Sequence, residues 1–226
     1  MSWKNALALA AGISCVPSAW AVDFGVMEAA DVVEPGDFKF IAFPLAVRDS
    51  PRREQNSGVV LGGGYGFGRD LDGELQVAVY DDFTFYGADL EYTYRAERAL
   101  ELSISGGAHL ADTDFGDPWG LDLTHVASYA LPALPALRLN GALDLAYERA
   151  DAAYASALGL EDQRYWTAHA VPGVQYRVTR DVDVIGEVGV GLNGESDDYI
   201  AAGLSYYFRA GPNSSASSRS PSSRTK

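Results

Sequence analysis

Apolar and polar residues alternate with a period of two along most of this chain. In the clearest stretch, residues 198–208, one face is apolar and ends in two aromatic rings. That face consists of Ile200, Ala202, Leu204, Tyr206 and Phe208. Successive side chains of a β-strand point to opposite sides, so this pattern predicts a strand with one apolar face. After residue 21 no stretch has the sustained 3.6-residue period of an amphipathic helix.

Ten such segments follow Gly36. Their predicted bounds are 37–48, 57–68, 73–80, 83–95, 99–111, 118–130, 136–149, 163–178, 181–193 and 198–208. Short strands joined in chain order predict an antiparallel, up-and-down β-barrel. Ten strands are expected. Eight is the alternative, if the third and fourth segments form one bent strand or if the first does not pair.

The connections between the segments alternate in length. Residues 69–72, 96–98, 131–135 and 179–180 are short, whereas 49–56, 112–117, 150–162 and 194–197 are mostly longer and more polar. Short turns on one side and long loops on the other are typical of membrane barrels. An even strand count returns both chain termini to the side with the short turns.

Aromatic residues lie near the strand ends, and the strand centres hold Leu, Val, Ala and Gly. The rings near the short turns are Phe38, Phe40, Tyr65, Phe67, Tyr92, Tyr94, Tyr129, Tyr176, Tyr206 and Phe208. The rings near the long loops are Tyr80, Phe83, Phe85, Trp119, Tyr147, Tyr165, Trp166 and Tyr199. Two aromatic belts around an aliphatic band predict the interfacial girdles of a membrane-spanning barrel. A soluble β-barrel is the alternative, because alternation alone does not say which face meets water.

The segments outside the ten strands predict export and an unstructured tail. Residues 1–21 read as a signal peptide, with Lys4, an apolar run and a small-x-small cleavage site at Ala19–Ala21. Acylation of Cys15, the only cysteine, is the less favoured alternative. Residues 22–35 are expected to be a lead-in outside the barrel, residues 36–209 the barrel, and the Ser-rich residues 210–226 disordered.

The chain is acidic, with 31 Asp and Glu against 17 Lys and Arg and a formal net charge of −14. This balance argues against nucleic acid as a partner, because phosphates require a basic surface. Aromatic residues make up 12% of the chain, which fits a ring-rich membrane barrel.

The stretch from Gly36 to Phe208 resembles the small bacterial outer-membrane β-barrels, such as the OmpA-like and opacity-type membrane domains. The resemblance implies a transmembrane antiparallel β-barrel in the cell outer membrane, in contact with lipid and lipopolysaccharide, with both termini in the periplasm. It also implies that the barrel-assembly machinery reads the last strand, where Ile200, Leu204, Tyr206 and Phe208 match the family's pattern. The family usually ends at the aromatic residue, whereas residues 209–226 follow Phe208 here. A fold of this kind implies no activity.

Charged residues on the polar faces are expected to line the lumen. They are Glu74, Asp89, Glu91, Arg95, Glu101, His109, Asp122, Arg138, Asp144, Glu148, His169, Arg177, Asp183 and Glu187. Charges in so narrow a lumen must be paired or hydrated. One interpretation is a salt-bridge network that plugs the barrel of a structural or adhesive envelope protein. The other is a narrow, cation-preferring pore, since carboxylate rings select cations.

Other chemistry is weakly indicated, and we expect no enzyme, cofactor or metal. Residues 189–194 fit G-x-G-x-x-G, but a strand follows where a nucleotide site needs a helix. His109 with Asp112 and Asp114 faintly resembles the omptin proteases without their motifs, so a surface hydrolase is the third alternative. The acidic loops are expected to be solvated loop tips, and a bridge through divalent cations to lipopolysaccharide phosphates is the alternative. The basic tail is expected to be an unstructured end, with contact to the cell wall or another envelope component as its alternative.

Overall fold

The computed structural model describes residues 30, 32–48, 55–80, 83–97, 99–114, 116–158 and 162–209. Ten antiparallel strands form one closed barrel in which each strand pairs with its neighbours in sequence and β1 pairs with β10. The strands are β1 Phe38–Arg48, β2 Gln55–Gly66, β3 Leu71–Tyr80, β4 Phe83–Ala96, β5 Leu100–Thr113, β6 Trp119–Leu131, β7 Leu134–Arg149, β8 Arg164–Thr179, β9 Val182–Gly191 and β10 Asp198–Phe208. The prediction of a ten-stranded barrel is confirmed.

The eight-strand alternative is wrong. β3 and β4 are separate strands that face each other through a tight connection, with Val79 opposite Thr84. β1 pairs along both of its edges, with Phe38 opposite Tyr65 of β2 and opposite Phe208 of β10. The closed sheet therefore has no free edge, which is the state that a barrel requires.

The two ends of the barrel differ in their connections. Residues 67–70, 97–99, 132–133 and 180–181 make short turns at one end, together with the start of β1 and the end of β10. We call this the turn end. Residues 49–54, 81–82, 114–118, 150–163 and 192–197 connect the strands at the other end, which we call the loop end.

The apolar face of each strand lies on the outside of the barrel. In β10, Ile200 is 59% exposed and Leu204 52%, whereas their neighbours Ala201 and Ser205 are 2% and 1% exposed. The same alternation continues around the barrel, so the outer wall is a band of exposed Leu, Val and Ile. An apolar surface of this extent belongs in lipid rather than in water.

Five residues that were predicted to belong to the girdle near the long loops lie elsewhere. Tyr80, Phe85 and Tyr199 are buried in the lumen, and Phe83 packs against them. Tyr165 packs against a small buried cluster at the loop end. Their side chains point inward in the period-two alternation of their strands. The prediction considered only how near each ring is to a strand end and not which face it lies on. Trp119, Tyr147 and Trp166 remain on the outer wall, where Tyr147 contacts both Trp rings.

A short helix, α1, spans Ala152–Leu158 at the loop end, where the sequence predicted only a loop. Asp151 caps it: its carboxylate accepts a hydrogen bond from the amide of Tyr154 at 2.8 Å. The helix is rich in alanine, which favours helix formation. Two turns are too short to produce a detectable period in the sequence. Among the described residues, no helix is long and apolar enough to cross a membrane.

The end of the predicted lead-in lies inside the barrel instead of outside it. Ala30 and Val33 are 0% and 2% exposed, and Ala30 contacts Thr93 and Ser128 on the inner wall. The contacts of Ala30 are made by its main chain. Contacts of this kind produce no pattern of side chains from which the sequence could predict them. The predicted signal peptide and the predicted tail fall outside the described residues.

Deleting Tyr206–Phe208 is expected to block assembly, because these residues close the barrel against Phe38 and Phe40. Removing residues 211–226 is expected to leave assembly unchanged. Heat-shifted gel migration of the outer-membrane fraction measures both variants. Equal assembly of the two truncations would contradict a role of this strand end in closure.

Candidate functional site

The structure turns most of the predicted lumen residues toward the barrel axis. Fully buried among them are Glu74, Glu91, His109, Asp144, Glu148, His169, Asp183 and Glu187. Partly buried on the same inner wall are Asp89, Glu101, Asp122 and Arg138, and Arg177 lies at the turn end. The interior is therefore a set of charged side chains largely shielded from solvent.

Arg95 is the exception, and its prediction as a lumen residue is wrong. The pairing of β4 with β5 shifts between Thr93 and Arg95, which breaks the alternation at this point. The Arg95 side chain is 48% exposed and pairs with Glu97 at 2.8 Å outside the lumen. A bulge of this kind cannot be seen in the sequence pattern.

A histidine holds two carboxylates near the loop end. His109 Nδ1 lies 2.8 Å from Asp122 Oδ2, and its Nε2 lies 3.0 Å from Glu148 Oε2. Carboxylate oxygens accept hydrogen bonds, so each ring nitrogen is placed to donate to one of the two side chains. Phe85 stacks on the ring with centroids 4.7 Å apart. We call His109, Asp122 and Glu148 the His109 cluster.

Glycines allow charged side chains two strands apart to meet. His109 lies opposite Gly120 on β6, and Gly120 lies opposite Glu148 on β7. A Cβ on Gly120 would overlap the imidazole, so the pair forms across the space that glycine leaves. The same geometry joins Lys39 to Glu74 at 2.7 Å across Gly64. Two inward aromatic rings also lie over glycines, Tyr80 over Gly58 and Tyr199 over Gly189.

A second polar group lies beside the His109 cluster. Thr124 donates a hydrogen bond of 2.5 Å to Asp144 Oδ1. His169 Nδ1 lies 3.9 Å from Asp144 Oδ2, and its Nε2 donates to the carbonyl of Asp197 at 3.0 Å. The group links β6, β7 and β8 to the last loop before β10.

Ion pairs line the turn end of the lumen. Arg138 binds Glu101 at 2.8 Å. Arg177 binds both oxygens of the fully buried Asp183, each at 3.0 Å, and Gln175 donates to the same carboxylate at 2.6 Å. Two donors on one buried carboxylate compensate its loss of water.

An apolar cluster crosses the lumen, and the sequence analysis missed it. Its buried members are Ile41, Phe43, Leu45, Val60, Ala78, Tyr80, Phe85, Ala111, Val171, Ile185, Tyr199 and Ala201. We call it the apolar lumen cluster. The available signal was β1, whose sequence FKFIAFPLAV is apolar on both faces and not only on the lipid side. The cluster packs apolar side chains of eight strands against one another inside the barrel.

Described parts of the segments that follow β7 and β9 pack at the loop end. Ala150, Tyr154 and Ala155 form a small buried cluster with Tyr165. Burial, with the nearby charges of Glu148 and Asp197, raises the pKa of the Tyr154 phenol, which therefore stays neutral. The Ser196 hydroxyl accepts a hydrogen bond of 2.8 Å from the amide of Ala168. This bond joins the segment that follows β9 to β8.

No family model and no curated protein matches this chain. Solved structures do share its architecture. The COG4313 outer membrane channel from Pseudomonas putida F1 matches with a TM-score of 0.51 and 12% identity, over 83% of this chain and 100% of that one. The NanC porin matches with a TM-score of 0.46 and 13% identity, over 74% and 98% of the two chains.

The fold is that of an outer-membrane β-barrel. At 12% identity the likeness concerns the fold alone and assigns no activity to the chain.

The side chains of this outer-membrane barrel do not assemble the hydrolase arrangement considered for the sequence. Asp112 and Asp114 are exposed at the loop end, whereas His109 turns inward to Asp122 and Glu148. In the described part of the chain, no group of three or more His, Cys, Asp or Glu residues is arranged to hold a metal ion.

Proposed function

We propose that the protein is a non-enzymatic barrel of the outer-membrane envelope, with a lumen closed by its own side chains and a structural or adhesive role at the cell surface. The observation that carries this proposal is the packed interior. The apolar lumen cluster packs inside the barrel, and charges beside it are engaged in ion pairs, which supports a closed lumen. A barrel of this kind acts through its wall and its loops.

The proposed orientation puts the turn end in the periplasm and the loop end at the cell surface, as is usual for barrels with this asymmetry. An N-terminal signal peptide and recognition of β10 by the barrel-assembly machinery belong to the same proposal. The loop end carries Asp112, Asp114, Asp117 and Glu195. Divalent cations would bridge these carboxylates to the phosphates of lipopolysaccharide.

The test is single-channel recording of the refolded barrel in a planar bilayer, with heat-shifted gel migration as proof of folding. A folded barrel is expected to give no discrete conductance steps. Cation-selective steps would contradict the closed lumen, and their reduction in Glu101→Gln and Asp144→Asn would assign them to the interior carboxylates.

A narrow, cation-preferring path is the second candidate. It is favoured by six interior oxygens that have no hydrogen-bond partner among the described residues: Gln76 Oε1, Asp89 Oδ1, Ser103 Oγ, Asn140 Oδ1, Gln175 Oε1 and Ser205 Oγ. Buried oxygens of this kind usually bind water. The excess of carboxylates would select cations, and the likeness in fold to an outer membrane channel agrees with this candidate.

A further inference from the structure

A segment ahead of the barrel enters the lumen at the turn end. It consists of Ala30 and residues 32–36, and we call it the N-terminal segment. The Ala30 amide donates to Ser128 Oγ at 2.8 Å, and the Ala30 carbonyl accepts from Thr93 Oγ1 at 2.7 Å. Thr93 lies on β4 and Ser128 on β6, so Ala30 is held from two sides above β5.

The barrel wall binds the rest of the segment through its main chain too. The Val33 amide donates to the Asp72 carboxylate at 2.6 Å, a charge-assisted hydrogen bond. The Gly36 amide donates to the carbonyl of Gly66 at 2.9 Å, where Pro35 forms a parallel bridge with β2. Main-chain groups that enter a barrel must find partners, and these side chains and β2 supply them.

The wall is also shaped to fit the segment. Ala30 is 0% exposed, so the site favours a small side chain at this position. A Cβ on Gly66 would lie 2.5 Å from the Val33 carbonyl oxygen, closer than such contacts allow, so glycine is needed for the approach. Gly36 has a φ of +84°, which lets the chain turn from the segment into β1.

We propose that the turn end of the lumen is a peptide-binding site, which takes an extended main chain with a small residue at the position of Ala30. The protein's own N-terminal segment occupies the site. Asp72, Thr93 and Ser128 are its binding residues, and Gly66 provides the space. The site is separate from the apolar lumen cluster, which lies farther toward the loop end.

The first experiment measures thiol accessibility in the full-length protein, with Cys15 replaced by Ser in every variant. Ala30→Cys is expected to react with a membrane-impermeant maleimide at least about tenfold more slowly than Thr179→Cys, which is exposed at the same end. Adding Thr93→Val or Asp72→Ala is expected to raise the Ala30→Cys rate on the order of fivefold each, the worth of one net hydrogen bond. Equal rates for Ala30→Cys and Thr179→Cys would overturn the proposal.

The second experiment is a cross-link that does not depend on those hydrogen bonds. Ala30→Cys with Ser128→Cys is expected to cross-link through a short thiol-reactive linker in the folded barrel. Ala30→Cys with Ala202→Cys, which lies on the outer wall of β10, is the matched control. Heat-shifted gel migration verifies that each variant is folded. No cross-link to residue 128, or equal cross-linking in the control, would place the segment outside the lumen and refute the site.

Discussion

His109→Leu is expected to lower the free energy of unfolding by about 3 kcal/mol, the lower end of the usual cost of leaving buried charges unpaired. The substitution removes the imidazole that now lies between Asp122 and Glu148. The two carboxylates then face each other without the ring nitrogens that hydrogen-bond to them. The lower end applies because the Asp122 side chain is 30% exposed and keeps some contact with water. Urea unfolding of the refolded barrel in lipid vesicles measures the change.

The matched control for His109→Leu also removes the charge repulsion between the two carboxylates. His109→Leu with Glu148→Gln replaces one of the two opposed charges by a neutral group. This double variant is expected to be more stable than His109→Leu, although Glu148→Gln by itself should destabilise the barrel. Purely additive losses would mean that the His109 cluster contributes through packing against Phe85 and not through charge.

The alternation of side chains predicted the barrel because each strand has to satisfy two different solvents. The lipid-facing side favours Leu, Val and Ile, whereas the lumen tolerates charged residues. The residue type at each position of β7 and β10 therefore predicts which face of the barrel it lies on. The strand ends also came within about two residues of the structure, since Gly- and Asp-rich turns interrupt the pattern.

The partners of the lumen residues could not be predicted, because they depend on register between strands. His109 meets Glu148 across a whole strand only because Gly120 lies between them, and the sequence alone does not align β5, β6 and β7. The bulge that turns Arg95 out of the lumen has no sequence signal for the same reason.

The apolar lumen cluster was missed in the sequence analysis for a different reason. Period-two reasoning assigns apolar residues to lipid, and a strand that is apolar on both faces is then read as a strong lipid face. β1 gave this signal, with Ile41, Phe43 and Leu45 on the face that the structure buries. A strand that is apolar on both faces over most of its length, in a barrel with otherwise polar inner faces, indicates apolar packing inside the barrel.

Leu143→Arg is expected to destabilise the barrel by about 2–4 kcal/mol, the cost of a cation near the middle of the lipid-facing wall. Leu143 is 47% exposed on the outer wall near the middle of β7, flanked by His125 and Ala170. An arginine there must reach the interface or draw water into the hydrocarbon region. Equilibrium unfolding in vesicles measures the loss, and detergent micelles, which adapt to a charge more readily, should reduce it.

Asp144→Asn is the matched control, one residue along the same strand and on the opposite face. Asp144 is buried in the lumen and accepts a hydrogen bond from Thr124, and an asparagine oxygen accepts the same bond. Its cost is therefore expected to be well below that of Leu143→Arg. The reverse order would mean that the lumen and the lipid face are exchanged, which would refute both the membrane orientation of the wall and the closed interior proposed for the protein.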